Sequence, residues 1–379
     1  MIAERHVIYL SGSRADFGLM RSTLLQAASC AALRVQVAVT GMHLSPVHGH
    51  TVDDIRAAGL TVCGEVPVDV ATRTRASMAT GIGECLQGMT QLLQAQRPDF
   101  LVLLGDRGEM LAGAIAALHL GIASVHIHGG ERSGTVDEPV RHAISKLSTW
   151  HMVATEASRE RLHRMGEMPG HVWVTGAPGL DGLLELASGS REDALLALQM
   201  PPDQAFVLAL FHPVVQQSGS AYSQTAAVVS ALARSGLPVL WLEPNADAGS
   251  LEVLRALDEV VLPAGSRRVQ HLRRDAFASA MRHCAAMVGN SSAGIIEAAT
   301  FGTPVVNVGD RQRLRERNAQ VWDVAADPES ISQALLAALS QGRGPCENLY
   351  GDGRAGERIV QHLASLPMDP SLLEKFNAY

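Results

Sequence analysis

Short apolar runs alternate with longer helical patterns along the whole chain, and this alternation limits the folds it can adopt. Nearly every position is apolar in runs such as LVLLG (101–105) and VLALF (207–211), which is typical of parallel strands covered by helices on both faces. Apolar residues recur at helical spacing in intervening segments such as LAGAIAALHL (111–120) and PESISQALLAALSQG (328–342). The pattern predicts an α/β protein built from βαβ units and doubly wound parallel sheets.

The candidate strands form two series, separated by a segment without a clear strand at Gly176–Pro202. The first series comprises His6–Ser11, Arg34–Thr40, Phe100–Gly105, Ser124–His128, His151–Thr155 and Val172–Thr175. The second comprises Phe206–Phe211, Pro238–Leu242, Val260–Leu262, Ala286–Val288 and Pro304–Val308. Because 379 residues are many for one core, we predict two domains, 1–177 and 178–355, with a C-terminal helix in 356–379 that joins the first. Ligands meet parallel sheets at the carboxyl ends of strands, so the active site is expected in the cleft between the domains.

Composition narrows the classes of function. The formal net charge is −7, and the five cysteines are scattered without a C-x-x-C pair. A nucleic-acid partner is disfavoured because phosphate backbones bind basic faces, and neither a disulfide framework nor a metal site is indicated. No apolar stretch has the length of a membrane span or the form of a signal peptide, so we expect no membrane partner and a cytoplasmic protein.

Two polar segments follow strands predicted in the N-terminal half. One is SGSRADFG (11–18), which combines small residues, a helix start and the cation of Arg14 and so favours an anion. It matches neither a Walker loop nor a G-x-G-x-x-G fingerprint. The other is GDRGEM (105–110), in which Asp106 and Arg107 stand where doubly wound folds bind ligands. The structural alternatives are an ordinary turn with an exposed arginine and, for Asp106, a helix cap.

Ionisable groups concentrate where an apolar strand ends, in the segment VHIHGGERSGTVDEPVRHAISK that begins at position 125. Carboxylates beside an arginine and imidazoles suit acid/base chemistry on an anionic substrate. His126 and His128 alternate with apolar residues, so both are expected on one face of a strand, at least one of them as a buried, hydrogen-bonded histidine. Glu131 and Asp137 are candidates for catalysis, with Arg141 about one helical turn beyond Asp137. A capping role is the alternative for Asp137.

Polar residues also follow the strands predicted in the C-terminal half. His212 comes directly after one strand and suits proton transfer or phosphate contact, although a buried histidine bonded to backbone is equally compatible. A Ser-rich strand-to-helix turn, GNSSAGIIE (289–297), can present amides and hydroxyls to a diphosphate, and its Glu297 can accept hydrogen bonds from both ribose hydroxyls. The candidate binding residues here are Asn290, Ser291, Ser292, Gly294, Glu297 and, from the arginine cluster at 310–317, Arg313.

Taken in order, these motifs resemble the UDP-N-acetylglucosamine 2-epimerase family, in particular its hydrolysing, sialic-acid-pathway branch. The matching segments cover most of the chain through Val324 and read SGSRADFG, TGMHLSP, GDRGEM, HIHGGE, DEPVRHAISK, VATEASRERL, FHPV, GNSSAGIIEAATFGTPVVNVGDRQR and VWDV. The resemblance implies two Rossmann-like domains in a GT-B arrangement with UDP in the cleft. One departure is Gly108, which stands where relatives usually have a bulky aromatic residue and is expected to enlarge or reshape the sugar pocket.

The resemblance also implies a reaction. UDP leaves UDP-N-acetylglucosamine by anti elimination to give a 2-acetamidoglucal, and water then adds to form N-acetylmannosamine. Inversion at C2 needs acid/base groups on both ring faces, and the matching positions are Asp106, Glu131 and Asp137, with His212 as a further catalytic candidate. The implied substrate-binding residues are Arg14, His43, Arg107, Arg141, Asn290, Ser291, Ser292, Gly294, Glu297 and Arg313. No metal or other cofactor is required, and a homodimer or higher homo-oligomer is expected.

Several alternatives stay open on the sequence alone. A hydrolysing 2-epimerase of a UDP-2,4-diacetamido-trideoxyhexose would differ only in the preferred sugar nucleotide. A non-hydrolysing epimerase would release no stoichiometric UDP, and a GT-B glycosyltransferase would need an acceptor other than water. A non-catalytic nucleotide-sugar sensor would make the carboxylates dispensable.

Overall fold

The computed structural model describes residues 4–379, and the chain divides into two compact units. The first consists of the chain up to Glu131 together with Asp137–Asp181 and Tyr350–Tyr379. The second consists of Arg132–Val136 and Gly182–Leu349. Apart from the short segment Arg132–Val136, the chain passes from the first unit to the second after Asp181 and returns at Tyr350. No helix among the described residues combines the length and apolar composition of a membrane span.

The first unit contains a parallel sheet of seven strands. Its strands are β1 (Arg5–Ser11), β2 (Leu33–Thr40), β3 (Thr61–Val66), β4 (Phe100–Leu104), β5 (Ala123–Ile127), β6 (Trp150–Val153) and β7 (Val172–Val174), in the spatial order β3-β2-β1-β4-β5-β6-β7. The helices between them are α1 (Arg14–Ala28), α2 (Val52–Ala57), α3 (Arg75–Gln96), α4 (Gly108–His119), α5 (Asp137–Leu147) and α6 (Glu156–Arg164).

Both faces of this sheet are buried, which explains its continuously apolar central strands. Successive side chains of a strand point to opposite faces. Tyr9 of β1 accordingly packs in a cluster with Phe17 of α1, whereas Leu10 packs in a second cluster with Met89 of α3 and with residues of α4. Helices therefore cover the sheet on both sides, as the sequence pattern predicts.

The second unit contains a parallel sheet of six strands. The elements in chain order are α7 (Leu183–Leu186), α8 (Arg191–Leu198), β8 (Val207–Leu210), α9 (Ala221–Ser235), β9 (Val239–Leu242), α10 (Ser250–Asp258), β10 (Arg267–Val269), α11 (Arg274–His283), β11 (Ala286–Gly289), α12 (Ser292–Ile296), β12 (Val305–Val308), β13 (Val321–Val324) and α13 (Pro328–Gln341). The spatial order is β10-β9-β8-β11-β12-β13, and buried clusters again lie on both faces.

Each sheet has one point where the strand order reverses, and open α/β sheets bind ligands outside the carboxyl ends of the strands at that point. In the first unit the reversal lies between β1 and β4, whose carboxyl ends lead into residues 11–13 and 105–107. In the second unit it lies between β8 and β11, which lead into His212 and Asn290. Among the candidate residues, Asp106, His212 and Asn290 therefore follow strands at the two reversal points.

One predicted strand is wrong. Val260–Leu262 is an irregular segment after α10, Val261 is 88% exposed, and Pro263 follows it. The strand beside β9 is instead β10, whose Arg268 forms ion pairs with Glu243 and Asp258. Charged residues are common on edge strands, where they block pairing with other chains. Because of them, β10 has no continuous apolar run in its sequence.

The predicted C-terminal helix is α14 (Ala355–Ser365). It packs against α1 in the first unit, with Ile359 and Leu363 in the same buried cluster as Phe17. Asp181 accepts hydrogen bonds from the backbone N–H groups of Ala355 (2.9 Å) and Gly356 (2.5 Å). A carboxylate at these unpaired N–H groups stabilises the helix start.

Candidate active site

Arg141 connects two of the candidate carboxylate segments in the first unit. Its guanidinium is fully buried; one terminal nitrogen donates a hydrogen bond to the carboxylate of Asp106, and the other donates to the backbone oxygen of Glu131 at 2.9 Å. Asp106 follows β4 and is not the cap of α4, because Arg107 occupies the N-cap position. The alternative role of Asp106 as a helix cap is therefore not what the structure shows.

Glu131 lies at the end of a loop whose backbone is closely packed. Its side chain is 4% exposed, and one carboxylate oxygen pairs with Nδ1 of His128. Gly130 has φ +73°, and a Cβ atom there would lie 2.3 Å from the backbone oxygen of Ser158. Only glycine fits this position, and Arg161 fixes the same loop by donating to the backbone oxygen of Gly130.

The two histidines of this segment have different environments. His126 lies within β5 and is fully buried; its Nε2 donates to the backbone oxygen of Gly105 (2.7 Å), and its Nδ1 accepts from Ser145 Oγ (3.0 Å). Burial lowers the pKa of His126 to about 3, so the ring is neutral. His128 lies beyond the strand in the left-handed region, with φ +63°. The expectation that both share one strand face is wrong, because β5 ends at Ile127.

Asp137 and its neighbours lie on the first turns of α5. Asp137 is the first residue of the helix and is half-buried. It precedes Arg141 by four positions, so both lie on the same helix face. Glu138 and His142 form a second pair at the same spacing, 3.8 Å apart. Asp106, Glu131 and Arg141 are thus joined by direct contacts, and Asp137 lies one turn from Arg141.

The loop after β1 is organised around a residue that the sequence reading left unassigned, Asp16. This buried carboxylate accepts hydrogen bonds from the N–H groups of Gly12 (3.0 Å) and Ser13 (2.7 Å) and from the hydroxyls of Ser11 and Ser13. The loop amides expected to face an anion are therefore used within the protein. The Ser-x-x-Asp spacing of a capping box was a signal that could have identified Asp16.

His43 is part of the same buried network. Its Nε2 is 2.8 Å from Ser11 Oγ, and its Nδ1 is 2.8 Å from Thr51 Oγ1. Since Ser11 donates to Asp16, His43 donates to Ser11 and accepts from Thr51, and burial lowers the His43 pKa. With both ring nitrogens engaged and the side chain fully buried, His43 supports the loop. Arg14, the first residue of α1, is 3.1 Å from Asp54 in an ion pair.

At the reversal point of the second unit, Asn290 fixes the backbone of His212. Asn290 Oδ1 accepts from the His212 N–H (2.7 Å), and Asn290 Nδ2 donates to the His212 carbonyl (2.8 Å). The N–H of Asn245 donates to His212 Nδ1 at 3.4 Å, which puts the proton of a neutral ring on Nε2. The Asn290 carbonyl in turn accepts from Arg311 and Gln312.

The turn after β11 is well ordered by its own contacts. Ser291 is the N-cap of α12 and accepts from the Ala293 N–H at 3.3 Å, and Ser292 begins the helix. Gly294 is buried, and a Cβ atom there would lie 2.9 Å from Val305 Cγ1. Gly294 therefore allows α12 to pack on β12, a structural role.

Glu297, at the end of α12, is 3% exposed and accepts a hydrogen bond from Arg274 of α11. The sequence analysis did not identify Arg274, since no local pattern links the two helices.

Arg313 is 66% exposed and 4.0 Å from Asp310. Among the described residues, no cluster of three or more His, Cys, Asp or Glu side chains could hold a metal ion.

Gly108, at the start of α4, does not leave an open pocket. A Cβ atom on it would lie 2.6 Å from Cγ1 of Ile82 and 2.7 Å from Cδ1. Ile82 of α3 occupies the space that a larger side chain at position 108 would fill. Of the two expectations for Gly108, an enlarged sugar pocket is therefore wrong, and a reshaped sugar pocket stays a prediction.

Comparison with known proteins agrees with this arrangement. The sequence profile of the family described as UDP-N-acetylglucosamine 2-epimerase matches residues 26–364. The chain belongs to the UDP-N-acetylglucosamine 2-epimerase family. One relative, the UDP-N,N'-diacetylbacillosamine 2-epimerase (hydrolyzing) of Legionella pneumophila, is 45% identical over 99% of this chain and 100% of its own length. A UDP-N-acetylglucosamine 2-epimerase of Neisseria meningitidis is 30% identical over 92% of this chain and 91% of its own.

Solved structures confirm the fold of this epimerase family member. A UDP-GlcNAc 2-epimerase from Neisseria meningitidis bound to UDP-GlcNAc superposes with a TM-score of 0.79 and 18% identity, covering 94% of this chain and 99% of that one. The calicheamicin glycosyltransferase gives a TM-score of 0.51 with 16% identity, covering 95% of this chain and 93% of that one. The predicted class, two parallel-sheet α/β domains of the kind found in GT-B proteins, is confirmed.

Proposed function

We propose that this protein is a hydrolysing 2-epimerase that converts UDP-N,N'-diacetylbacillosamine into UDP and free 2,4-diacetamido-2,4,6-trideoxymannose. The observation that carries the proposal is the 45% identity, over essentially both full lengths, to a relative named for hydrolysing 2-epimerisation of that sugar nucleotide. Identity falls to 30% for a relative named for UDP-N-acetylglucosamine. A further relative, at 28% identity over 85% of the chain, is also named for hydrolysing 2-epimerisation of diacetylbacillosamine nucleotides.

The reaction consists of two balanced steps. In the first, a base takes the proton from C2, the C1–C2 double bond forms, and the C1–O bond to UDP breaks. In the second, water adds its oxygen to C1, and C2 receives a proton on the opposite face. The sum is one UDP-sugar and one water converted into UDP and the 2-epimeric free sugar.

The contacts of Arg141 support acid/base roles for the carboxylates. The carboxylate of Asp106 accepts a charge-assisted hydrogen bond from the buried guanidinium of Arg141, and we assign Asp106 to orienting the sugar ring. Glu131 is buried, and its carboxylate pairs with Nδ1 of His128, so a proton can pass between the two side chains. We assign proton transfer at C2 to this pair, with Asp137 as the acid/base group for the other ring face.

The contacts of the second unit support a nucleotide-binding role. Asn290 holds the backbone of His212, and the Asn245 N–H leaves the His212 proton on Nε2, the form that donates to a phosphate oxygen. Stabilising the departing diphosphate lowers the barrier of elimination. Glu297, oriented by Arg274, is assigned to the ribose hydroxyls.

The test is NMR of the purified protein in D2O with UDP-N,N'-diacetylbacillosamine and, separately, UDP-N-acetylglucosamine. We expect free UDP, a released sugar with deuterium at C2, and a higher kcat/KM for the first substrate. Faster turnover of UDP-N-acetylglucosamine would overturn the proposed substrate but not the reaction. Retention of UDP on the epimerised sugar would identify a non-hydrolysing epimerase, and unlabelled sugar of unchanged configuration would exclude elimination.

The roles of the carboxylates are separable by half-reactions. Asp106→Asn, Glu131→Gln and Asp137→Asn proteins are assayed for UDP release from the substrate and for hydration of the corresponding 2-acetamidoglycal. We expect Glu131→Gln and Asp137→Asn each to lose one of the two half-reactions by more than about 100-fold and to retain the other, because the C2 proton leaves from one ring face and returns to the opposite one. Near wild-type rates in all three variants would favour a non-catalytic sensor.

A further inference from the structure

Two side chains of α5, Arg141 and Ser145, hold the segment that follows β4. They stand four positions apart and are both buried, so they lie on one face of the helix. Arg141 donates to the carboxylate of Asp106. Ser145 reaches the backbone of the preceding residue, Gly105, through the ring of His126. Helix α5 therefore fixes this segment at two points, one on a side chain and one on the backbone.

The ring of His126 joins α5 to the end of β4 by two hydrogen bonds whose directions are determined. The carbonyl of Gly105 can only accept, so the proton lies on Nε2 of His126, 2.7 Å away. Since the buried ring is neutral, its Nδ1 accepts from the hydroxyl of Ser145 at 3.0 Å. The peptide unit is planar, so holding the Gly105 carbonyl also sets the direction in which the chain continues to Asp106.

Gly129 shows how closely the chain fits around this link. A Cβ atom on Gly129 would lie 2.9 Å from His126 Nδ1 and 2.9 Å from Ser145 Oγ. Gly129 does not have a positive φ, so its backbone conformation does not require glycine. A side chain is excluded there because it would press on the two atoms that form the hydrogen bond.

We propose that His126 is a positioning residue of the candidate active site, which places Asp106 by holding the carbonyl of Gly105. The inference rests on the reaction of the proposed function and not on which UDP-sugar is preferred. A histidine that served the stability of the core alone would affect turnover only through the fraction of folded protein. A positioning residue instead requires a hydrogen-bond donor at the place of Nε2.

The experiment compares two amide substitutions of the same residue. The longer side chain of His126→Gln can bring an N–H to the place of Nε2, whereas the shorter one of His126→Asn ends near the place of Nδ1. In UDP release assays we expect kcat to fall about 10- to 100-fold in His126→Asn, since small displacements of catalytic groups have effects of that size. His126→Gln should stay close to wild type. Urea titrations identify conditions in which both variants are fully folded.

His151 supplies a matched control. It lies beside His126 on the neighbouring strand β6, is also fully buried, and its Nε2 is 2.9 Å from Glu167. His151→Asn removes a buried imidazole that has no printed role at the end of β4, and it should lower stability while kcat stays close to that of wild type. A loss of kcat in His151→Asn as large as that in His126→Asn would mean that any buried histidine of this sheet has the same effect, and would overturn the inference.

A double-mutant cycle tests whether His126 acts through Asp106. In the Asp106→Asn protein, His126→Asn should cause little further loss of kcat, because residues that act as a unit have non-additive effects. Ser145→Ala, which removes only the hydrogen bond to Nδ1, repeats the cycle with a smaller loss if His126→Asn does not fold. Where the residual activity of Asp106→Asn is too low to measure, the Gln and Asn variants of His126 decide.

The outcomes separate this inference from the proposed function. Equal losses of kcat from His126→Asn in the wild-type and Asp106→Asn proteins, or equal kcat values of His126→Gln and His126→Asn, overturn the inference and leave the proposed function standing. A wild type that turns over no UDP-sugar overturns both.

Discussion

The guanidinium of Arg141 donates a hydrogen bond to the carboxylate of Asp106, a residue 35 positions earlier in the chain. Asp106 follows β4, and Arg141 lies on the second turn of α5, so the contact fixes the end of a strand against a helix. Because Arg141 also binds the backbone of Glu131, one buried cation sets the distance between two candidate catalytic segments.

Arg141→Met should therefore impair both catalysis and stability. We expect kcat to fall about 100-fold or more, since small displacements of catalytic groups have effects of that size, and the free energy of unfolding to fall by about 3 kcal/mol. UDP release assays and urea denaturation measure the two effects. Arg159→Met, which removes a surface ion pair with Glu156, is the control and should cost less than about 1 kcal/mol.

The coupling between the two side chains is tested by a double-mutant cycle. Arg141→Met should destabilise the Asp106→Asn protein less than the wild type, because no charged carboxylate is then left without its cation. A coupling energy of about 1 kcal/mol or more is expected for residues in direct contact. Strictly additive effects would mean that the hydrogen bond contributes nothing to the folded state.

His43 is expected to act through stability and not through ligand contact. His43→Leu removes the partner of two buried hydroxyls, on Ser11 and Thr51, and should lower the free energy of unfolding by about 2–4 kcal/mol. UDP affinity, measured by calorimetry well below the melting temperature, should change little. An unaltered stability with much weaker UDP binding would instead identify His43 as a ligand contact. The exposed His50 supplies the control variant His50→Leu.

The central strands of both sheets could be predicted because their side chains are buried on both faces and leave continuous apolar runs. The edge strands β3, β10 and β13 could not, since their Arg, Glu, Gly and Asp residues interrupt the apolar run, whereas the edge strand β7 keeps an apolar sequence and was predicted. The position of the candidate site could therefore be inferred from the order of the central strands along the chain and from the residues that follow their carboxyl ends.

The contacts within the site were less predictable than its position. Residues after β4, β5, β8 and β11 were identified as candidates because ligands bind at strand ends. The hydrogen bond of Arg141 with Asp106 and that of Arg274 with Glu297 join segments 35 and 23 residues apart, and no local spacing encodes such distances. The Ser13–Asp16 box, in contrast, has a local spacing that signals it.

Glu167 should make stability depend on pH. This carboxylate is 1% exposed and contacts Lys146 (2.8 Å), Lys375 (2.6 Å) and His151 (2.9 Å). Burial raises its pKa, but the His151 hydrogen bond and the lysines outweigh burial and lower the pKa from 4.5 to about 2. The ionised form is therefore favoured on folding, and its stabilisation is complete above pH 4.5 and is lost as the pH falls towards 2.

Glu167→Gln tests this dependence. The difference in unfolding free energy between wild type and variant, from urea titrations at pH 7, 5.5 and 4, should be constant between the first two and smaller at pH 4. Glu160→Gln, at an exposed position of α6, should show no comparable difference. A Glu167→Gln difference that grows on acidification would contradict the assigned sign.

The variant Asn290→Asp should lose UDP affinity at neutral pH and regain part of it at acidic pH. In Asn290→Asp one carboxylate oxygen still accepts from the His212 N–H, but the other faces the His212 carbonyl, which Nδ2 now contacts at 2.8 Å. Repulsion and burial raise the pKa of such a carboxyl, and its protonated form can donate to the carbonyl as the amide does. UDP affinity should be weak at pH 7.5 and closer to wild type at pH 5.5, whereas Asn290→Ala should bind weakly at both.

Asn318 provides the matched control for this rescue. It makes the same pair of contacts within the second unit, accepting from the Leu349 N–H and donating to the Ile295 carbonyl, both at 2.9 Å. It lies before β13, at the amino end of a strand and not at the carboxyl end. Asn318→Asp should lower stability at pH 7.5 without a specific loss of UDP affinity. Equal loss of UDP affinity in both Asp variants would show that Asn290 acts through stability alone and not through its contacts with His212.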